Sequence, residues 1–139
     1  MTLLSDSRLL MSLRTAQSPH AVEATVERVR AALGRRGIAV LGHVDHAAGA
    51  RSVGLELADE QVLSFGDPRV GTPLMQEDPR IGYELPLRLL VWDAGGQTTI
   101  GYRSPTALAG DHHAAGHAEV LQRMEGLLEQ LVAEAVAPA

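Results

Sequence analysis

Residues 61–103 read QVLSFGDPRVGTPLMQEDPRIGYELPLRLLVWDAGGQTTIGYR, and this stretch decides the fold. Three segments in it have the length and composition of strands, namely Gln61–Phe65, Leu87–Trp92 and Gln97–Arg103. Short apolar or alternating runs bounded by Gly and Pro are typical of β-strands. Leu87–Trp92 is apolar almost throughout, which favours a central strand, and DAGG at 93–96 indicates a hairpin turn.

The loop between the first two of these strands, residues 66–86, holds four of the seven prolines. Thr72-Pro73 and Asp78-Pro79 each combine a good N-cap with a residue that suits the first helical position. We therefore predict two short helical turns in this loop.

The flanking segments predict two long helices and two more strands. Residues Val22, Val26, Val29 and Leu33 recur at helical spacing, and Arg35-Arg36 followed by Gly37 is typical of a helix end. The full set is a strand at Arg8–Thr15, a helix from Ser18-Pro19 to Gly37, a strand at Ile38–His46, a loop with a helical turn at 47–57 and an amphipathic helix at His117–Val136.

This order of elements favours an α+β fold, a two-layer sandwich in which a mainly antiparallel sheet carries both long helices on one face. A chain of 139 residues is expected to form one domain, residues 1–139. The other face of the sheet would be exposed, and an exposed apolar face seldom stays bare. We expect it to pair with a second copy in a homodimer or to line a cavity.

Composition excludes several classes of function. The chain has no cysteine, which removes disulfides, thiol nucleophiles and cysteine-ligated metal sites. All twelve basic residues are arginine, the net charge is −5 and no basic stripe is visible, so we expect no nucleic-acid partner. The N-terminus lacks a signal-peptide pattern and no run approaches ~18 apolar residues, so we expect a cytoplasmic protein without a membrane partner. Nothing in the sequence assigns a cofactor.

Six motifs together resemble the DUF302 family of small bacterial and archaeal proteins. They are DHAAGAR at 45–51, GLEL at 54–57, FGDP at 65–68, GTPLM at 71–75, DPR at 78–80 and LPLRLLVW at 85–92. The resemblance implies an α+β fold similar to the TATA-binding-protein class, with a β-α-β4-α plan, and implies homodimers. It brings no activity, because the family is defined by an unknown function.

The GDPRVGT segment at 66–72 is a near miss to a phosphate-binding loop, because Thr72 stands where the lysine would be. A milder hypothesis is that Gly71 and Thr72, beside Asp67, hold a carboxylate or phosphate with backbone N–H groups at a helix N-terminus. The alternative is that these residues only shape a tight loop, with Thr72 as a cap.

Asp45-His46 ends the second predicted strand and is the best candidate for acid/base or metal chemistry, with His43 a weaker third member. The structural alternative is that Asp45 caps the following AAGA stretch and that His46 is a hydrogen-bonded, partly buried histidine. His112, His113 and His117 have a spacing that could bind metal, but a solvated histidine-rich loop is the better interpretation, and no metal site is assigned.

Arg88 lies in the most apolar strand, on the same face as Leu90 and Trp92. A half-buried arginine needs an anionic partner, either an internal carboxylate (Asp45, Asp67 or Glu84) or an acidic ligand. Tyr102, one hairpin away, is predicted to line the same face.

We therefore predict a homodimeric module that binds a small anionic or polar ligand where Asp45-His46, the Gly66–Thr72 loop and Arg88 meet. A second hypothesis is a metal-assisted or acid/base enzyme that uses Asp45 and His46. A third is a structural module whose exposed sheet face serves only for dimerisation. Whether the protein is an enzyme stays open at this point.

Overall fold

The computed structural model describes residues 13–107 and 115–139. These residues form β1 (Leu13–Gln17), α1 (Val22–Arg35), β2 (Ala39–Asp45), α2 (His46–Ser52), β3 (Glu60–Gly66), α3 (Pro68–Glu77), β4 (Leu87–Ala94), β5 (Gln97–Arg103) and α4 (Ala118–Val136). Short 3-10 helices occur at Pro79–Tyr83, Pro105–Ala107 and Ala115–His117. The α+β class and the predicted order of long elements are confirmed.

The strands form one antiparallel sheet in the order β1-β5-β4-β3-β2, so the apolar strand β4 is central as predicted. The predicted hairpin joins β4 to β5 through Gly95 and Gly96. Both glycines have positive φ, 62° and 96°, a conformation that side chains with a Cβ disfavour.

One face of the sheet is covered by α1 and α4, and the core lies between these layers. Side chains alternate along a strand, so every second residue of β3, β4 and β5 points to the helices. The largest buried members from the sheet are Leu63, Phe65, Leu89, Val91 and Ile100, and they pack against α1 and α4 residues such as Val26, Val29, Leu33, Leu128 and Leu131.

Arginines on and after α1 fasten the end of α4. The Arg28 guanidinium donates to the carbonyls of Glu134, Ala135 and Ala137 at 3.0–3.1 Å. The last carbonyls of a helix have no partner within the helix, so these bonds satisfy groups that would otherwise depend on water. Arg35 and Arg36 both bind the Glu134 carboxylate, and hydrogen bonds from Arg36 and then Arg35 lower the pKa of Glu134 to about 2.

Several predicted boundaries are wrong for local reasons. Helix α1 begins at Val22 rather than at Ser18-Pro19, because Ser18 is buried and its N–H donates to the Thr98 carbonyl beside the sheet. The predicted first strand lies partly outside the described residues, and its described part runs to Gln17 rather than Thr15. The helical turn predicted in the loop after β2 is present as α2, but it begins one residue earlier, at His46.

The proline-rich segment, residues 66–86, departs further from the structure predicted for it. Asp78-Pro79 begins a helical turn as predicted, with the Asp78 carboxylate accepting from the Arg80 N–H at 3.0 Å. Thr72-Pro73 does not begin a turn, since α3 starts earlier, at Asp67-Pro68, and runs through Pro73. The helix keeps its cap and a proline at its first position, and the cost of Pro73 is about one lost intrahelical hydrogen bond.

The Glu134 contacts predict a definite dependence of stability on pH. A carboxylate whose pKa is lower in the folded state stabilises the fold above its ordinary value of 4.5, and this contribution is lost as the pH falls toward 2. We expect Glu134→Gln to lower the free energy of unfolding at pH 7 and to have little effect near pH 2, measured by urea denaturation. Glu27→Gln, at an exposed position on α1, is the matched control and should behave as wild type at both pH values. An equal loss at both pH values would contradict the ionic origin of the effect.

Candidate functional site

A cavity of about 440 Å³ opens at one end of the sheet, between α3, the segment that leads into β4, and α4. This volume is in the range of small-molecule pockets. Its walls are almost entirely apolar, and the larger side chains are Ile38, Phe65, Met75, Leu85, Leu87, Met124 and Leu127.

Two glycines let α3 approach the opposite wall. A Cβ at Gly71 would lie 3.1 Å from Leu85 Cδ1, and a Cβ at Gly82 would lie 3.3 Å from Met75 Sδ. Both separations are tighter than ordinary contacts between side chains, so a larger residue at either position would push the wall aside. Gly71 and Gly82 therefore set the shape of the cavity.

The mouth of the cavity is also apolar. Leu41 and Val70 line it with exposed fractions of 61% and 39%. Leu41 lies at a β-bulge, because the register between β2 and β3 shifts between Val40 and Gly42. The bulge and the first turn of α3 thus place two apolar side chains at the entrance.

Asp67 lies at the edge of the cavity, and its carboxylate is already hydrogen-bonded to the first turn of α3. Its carboxylate caps α3 by accepting from the Arg69 N–H at 2.9 Å, and it also accepts from the Arg69 guanidinium at 3.2 and 3.0 Å. These bonds hold the pKa of Asp67 below its usual range.

The predicted anion cradle at Gly71 and Thr72 is wrong in its geometry. Both residues line the cavity, but they are the fourth and fifth residues of α3 rather than its N-terminus. The Gly71 N–H donates to the Asp67 carbonyl at 3.2 Å, so it is used within the helix. Asp67, Gly71 and Thr72 therefore contribute wall and rim to a mainly apolar space. Whether they bind a ligand stays a prediction.

Asp45 and His46 lie at the opposite end of the sheet from this cavity. Asp45 pairs with Gln61 at the start of β3, whereas Gly66 ends β3 beside Ala39. The predicted meeting of Asp45-His46 with the Gly66–Thr72 loop is therefore wrong, because antiparallel pairing separates them by the length of a strand. The Asp45 carboxylate caps α2 by accepting from the Ala48 N–H at 2.9 Å, as the structural alternative predicted.

His46 is exposed at the start of α2, so the expectation of a partly buried histidine is also wrong. His43 belongs to a polar chain that sequence reasoning missed. Its Nδ1 is 2.6 Å from an Arg30 nitrogen and its Nε2 is 2.6 Å from Gln61 Oε1, while Gln61 Nε2 donates to Glu23 at 2.8 Å. Because Arg30 can only donate, Nδ1 accepts and Nε2 carries the proton. These hydrogen bonds link α1 to the sheet.

Arg88 shares a face with Leu90 and Trp92 as predicted, but this is the open face of the sheet, opposite to the helices. Its side chain is exposed and forms no ion pair with Asp45, Asp67, Glu84 or any other described residue. It borders a hollow of only about 60 Å³, which is room for one or two waters. The predicted internal carboxylate partner is wrong.

Tyr102 lies on the helix-covered face, not beside Arg88, because it pairs with Arg14 on β1 and is buried with Ile100. Its hydroxyl donates to Glu125 Oε2 at 3.1 Å, and Ser104 and Arg14 also contact this carboxylate. Burial and then the Glu125 charge raise the pKa of Tyr102 to about 12. In the sequence, this contact could have been indicated by Glu125, because it is a carboxylate beside the apolar stripe of α4.

No group of three or more metal-ligating side chains comes together within residues 13–107 and 115–139. His117 lies at the N-cap of α4, and His112 and His113 lie outside the described residues. Among the helices described, none is both long enough and apolar enough to cross a membrane.

Comparison with known proteins identifies the family. The model of a family described as "Domain of unknown function DUF302" matches residues 14–131. The chain belongs to the DUF302 family. A crystal structure of an uncharacterized conserved DUF302 protein from Bacillus stearothermophilus is similar, with a TM-score of 0.81 and 25% identity. The similarity covers 90% of this chain and 98% of the Bacillus chain, which agrees with the predicted fold and the predicted family.

Curated relatives of this DUF302 chain are larger proteins. A protein of Brucella suis named "Fluoride-specific ion channel FluC 1" is 42% identical over 101 residues, which are 72% of this chain and 40% of the relative. A protein of Brucella abortus with the same name is also 42% identical over 101 residues, 37% of its length. The chain thus spans about two-fifths of these relatives.

The environment of Tyr102 can be tested by titration. The chain has two tyrosines, so Tyr83→Phe leaves Tyr102 as the only phenol. We expect the ultraviolet absorbance of this variant to report an ionisation near pH 12, and near the ordinary value of 10.0 when the protein is unfolded in guanidinium. Because the pKa is higher in the folded state, its contribution to stability is present below pH 10 and is lost as the pH rises toward 12. A folded-state ionisation near pH 10 would contradict the buried contact with Glu125.

Proposed function

We propose that this protein is a small-molecule-binding domain whose site is the cavity between α3 and α4. The observation that carries the proposal is an apolar cavity of about 440 Å³ that is open to solvent. This location replaces the one predicted from the sequence, since it uses Asp67, Gly71 and Thr72 as wall and rim and does not include Asp45, His46, Arg88 or Tyr102.

Two features support a ligand rather than an empty packing defect. The walls of the cavity are mainly apolar and face solvent, and apolar surface in contact with water is unfavourable unless a ligand covers it. In addition, Leu41 and Val70 stay exposed at the mouth, where a ligand would cover them. Filling the cavity would gain about 25 cal/mol for each Å² of apolar surface removed from water.

Narrowing the mouth tests this proposal. Val70→Trp adds a large side chain at a position that is already 39% exposed, so it should close the entrance without disturbing the core. We expect it to weaken binding of 1-aminonaphthalene, a neutral fluorescent dye small enough for the cavity, by about fivefold or more, given the ~2 kcal/mol scale of one buried apolar side chain. Binding is measured as a dissociation constant from a fluorescence titration.

Val53→Trp is the matched control, because Val53 is 71% exposed and lies away from the cavity. It should bind the dye as wild type does. Equal weakening by the two substitutions, or no saturable binding by wild type, would overturn the proposal.

We also propose that the protein forms a homodimer through the open face of its sheet. Leu13 and Val44 are exposed on this face, and Val62, Leu90 and Trp92 lie beside them only half-buried. Charge supports a second copy as the partner. Glu60 lies at one end of the face and Arg88 at the other, so a two-fold arrangement would bring Glu60 of each copy toward Arg88 of its partner.

The dimer can be tested through Trp92, the only tryptophan of the chain. We expect dilution to shift its emission to longer wavelength as the partner leaves, and sedimentation to show a dimer at high concentration. Leu90→Asp should give a folded monomer, because it places an unpaired charge in the interface. Tyr83→Asp, at an exposed site off this face, should stay dimeric. Wild-type sedimentation as a monomer at every concentration would refute the dimer.

The other functions considered have less support. The Asp45 carboxylate is occupied in capping α2 and His46 is exposed, so we do not propose an acid/base enzyme. The name of the Brucella relatives describes proteins of which this chain matches about two-fifths. An apolar cavity does not suit a small, strongly hydrated anion, so we propose no fluoride site here.

A further inference from the structure

The positive and negative charges at the mouth of the cavity do not balance. Of the residues that the structure describes, two ionisable ones line it, Asp67 and Arg123. Asp67 is already neutralised by the Arg69 guanidinium through two hydrogen bonds. Arg123 forms no ion pair with any described residue, although Glu119 lies one turn away on the same helix. As far as the described residues go, the mouth therefore presents one positive charge without an ion-pair partner.

The position of Arg123 ties this charge to the apolar wall. Arg123 is on α4 directly before Met124, and Leu127 follows one turn later; both side chains line the cavity. An arginine in such a place can lay its aliphatic stem on the apolar surface and keep the guanidinium at the entrance. A guanidinium is also well suited to a carboxylate, because its N–H groups match the two oxygens.

The volume sets the size of the ligand. At a share of roughly 30 Å³ for each water-sized unit, about 440 Å³ corresponds to about fifteen heavy atoms at most. A chain of eight to ten carbons ending in a carboxylate is within this limit.

We infer that the cavity binds an amphipathic carboxylate, with its apolar chain between α3 and α4 and its carboxylate at Arg123. The inference rests on the proposed ligand-binding function and adds the chemical class of the ligand. The apolar walls select the alkyl chain of the ligand, and the Arg123 guanidinium at the mouth selects its carboxylate.

Calorimetric titration with octanoate, 1-octanol and octylamine tests the head group, because the three share one chain length. We expect octanoate to bind about three- to tenfold more tightly than 1-octanol, as a solvent-accessible charged hydrogen bond allows, and octylamine to bind most weakly. Lengthening the carboxylate from six to eight carbons should tighten binding about fourfold for each methylene.

Arg123→Gln should reduce the affinity for octanoate to about that for 1-octanol, because the glutamine side chain carries no charge to pair with the carboxylate. Arg51→Gln is the matched control, since it removes an exposed arginine on α2, away from the cavity, and it should keep the preference for octanoate. Equal affinity of wild type for octanoate and 1-octanol, or loss of the preference in both variants, would overturn the head-group inference while the binding function stands. Failure of every ligand to bind would overturn both.

Discussion

The constraint on which the rest of the structure depends is the burial of one face of the sheet against α1 and α4. The side chains on this face include Leu63, Leu89, Val91 and Ile100. The arginines that join α1 to the end of α4 hold the two helices together as one layer. Because this layer covers one face only, the strands keep a second face with its own apolar residues. Within residues 13–107 and 115–139, the open face is a consequence of having two long helices for five strands.

The cavity arises where this simple layering ends. Beyond β3 the chain leaves the sheet, forms α3 and a 3-10 helix, and returns at β4. Leu74 and Ile81 from this excursion bury themselves against Leu121 and Met124 of α4, in a second small core. The cavity lies between the two cores, and part of its wall comes from members of each, such as Phe65 from the first and Met124 from the second.

Local patterns in the sequence were sufficient for much of the fold. The stripes of α1 and α4, the apolar strand β4 and the turn at Gly95-Gly96 each depend on neighbours in the chain, so they could be predicted. The start of α3 could not, because Asp67-Pro68 and Thr72-Pro73 both have the form of a cap. The helix starts at Asp67-Pro68, since the Asp67 carboxylate accepts hydrogen bonds from both the backbone and the side chain of Arg69.

The candidate site was harder to predict, because it depends on distances across the sheet. A bulge between Val40 and Gly42 moves Val40 to the helix side and turns Leu41 outward, and no local pattern in IAVLGHVDH marks it. The antiparallel register then separates Asp45 from Thr72, although both end or follow strands. Arg123 was missed because a single arginine on a solvated helix carries no signal until the cavity beside it is known.

The strand order has a consequence for assembly. Strands β2, β3 and β4 each pair with the next strand along the chain, so the meander from β2 to β5 can form from contacts between near neighbours. Strand β1 is different, since Leu13 pairs with Arg103 and most of the chain lies between them. Contacts of such separation are slow to close. During synthesis β1 leaves the ribosome long before β5 exists, and it must wait, unpaired, until the last strand of the meander is made.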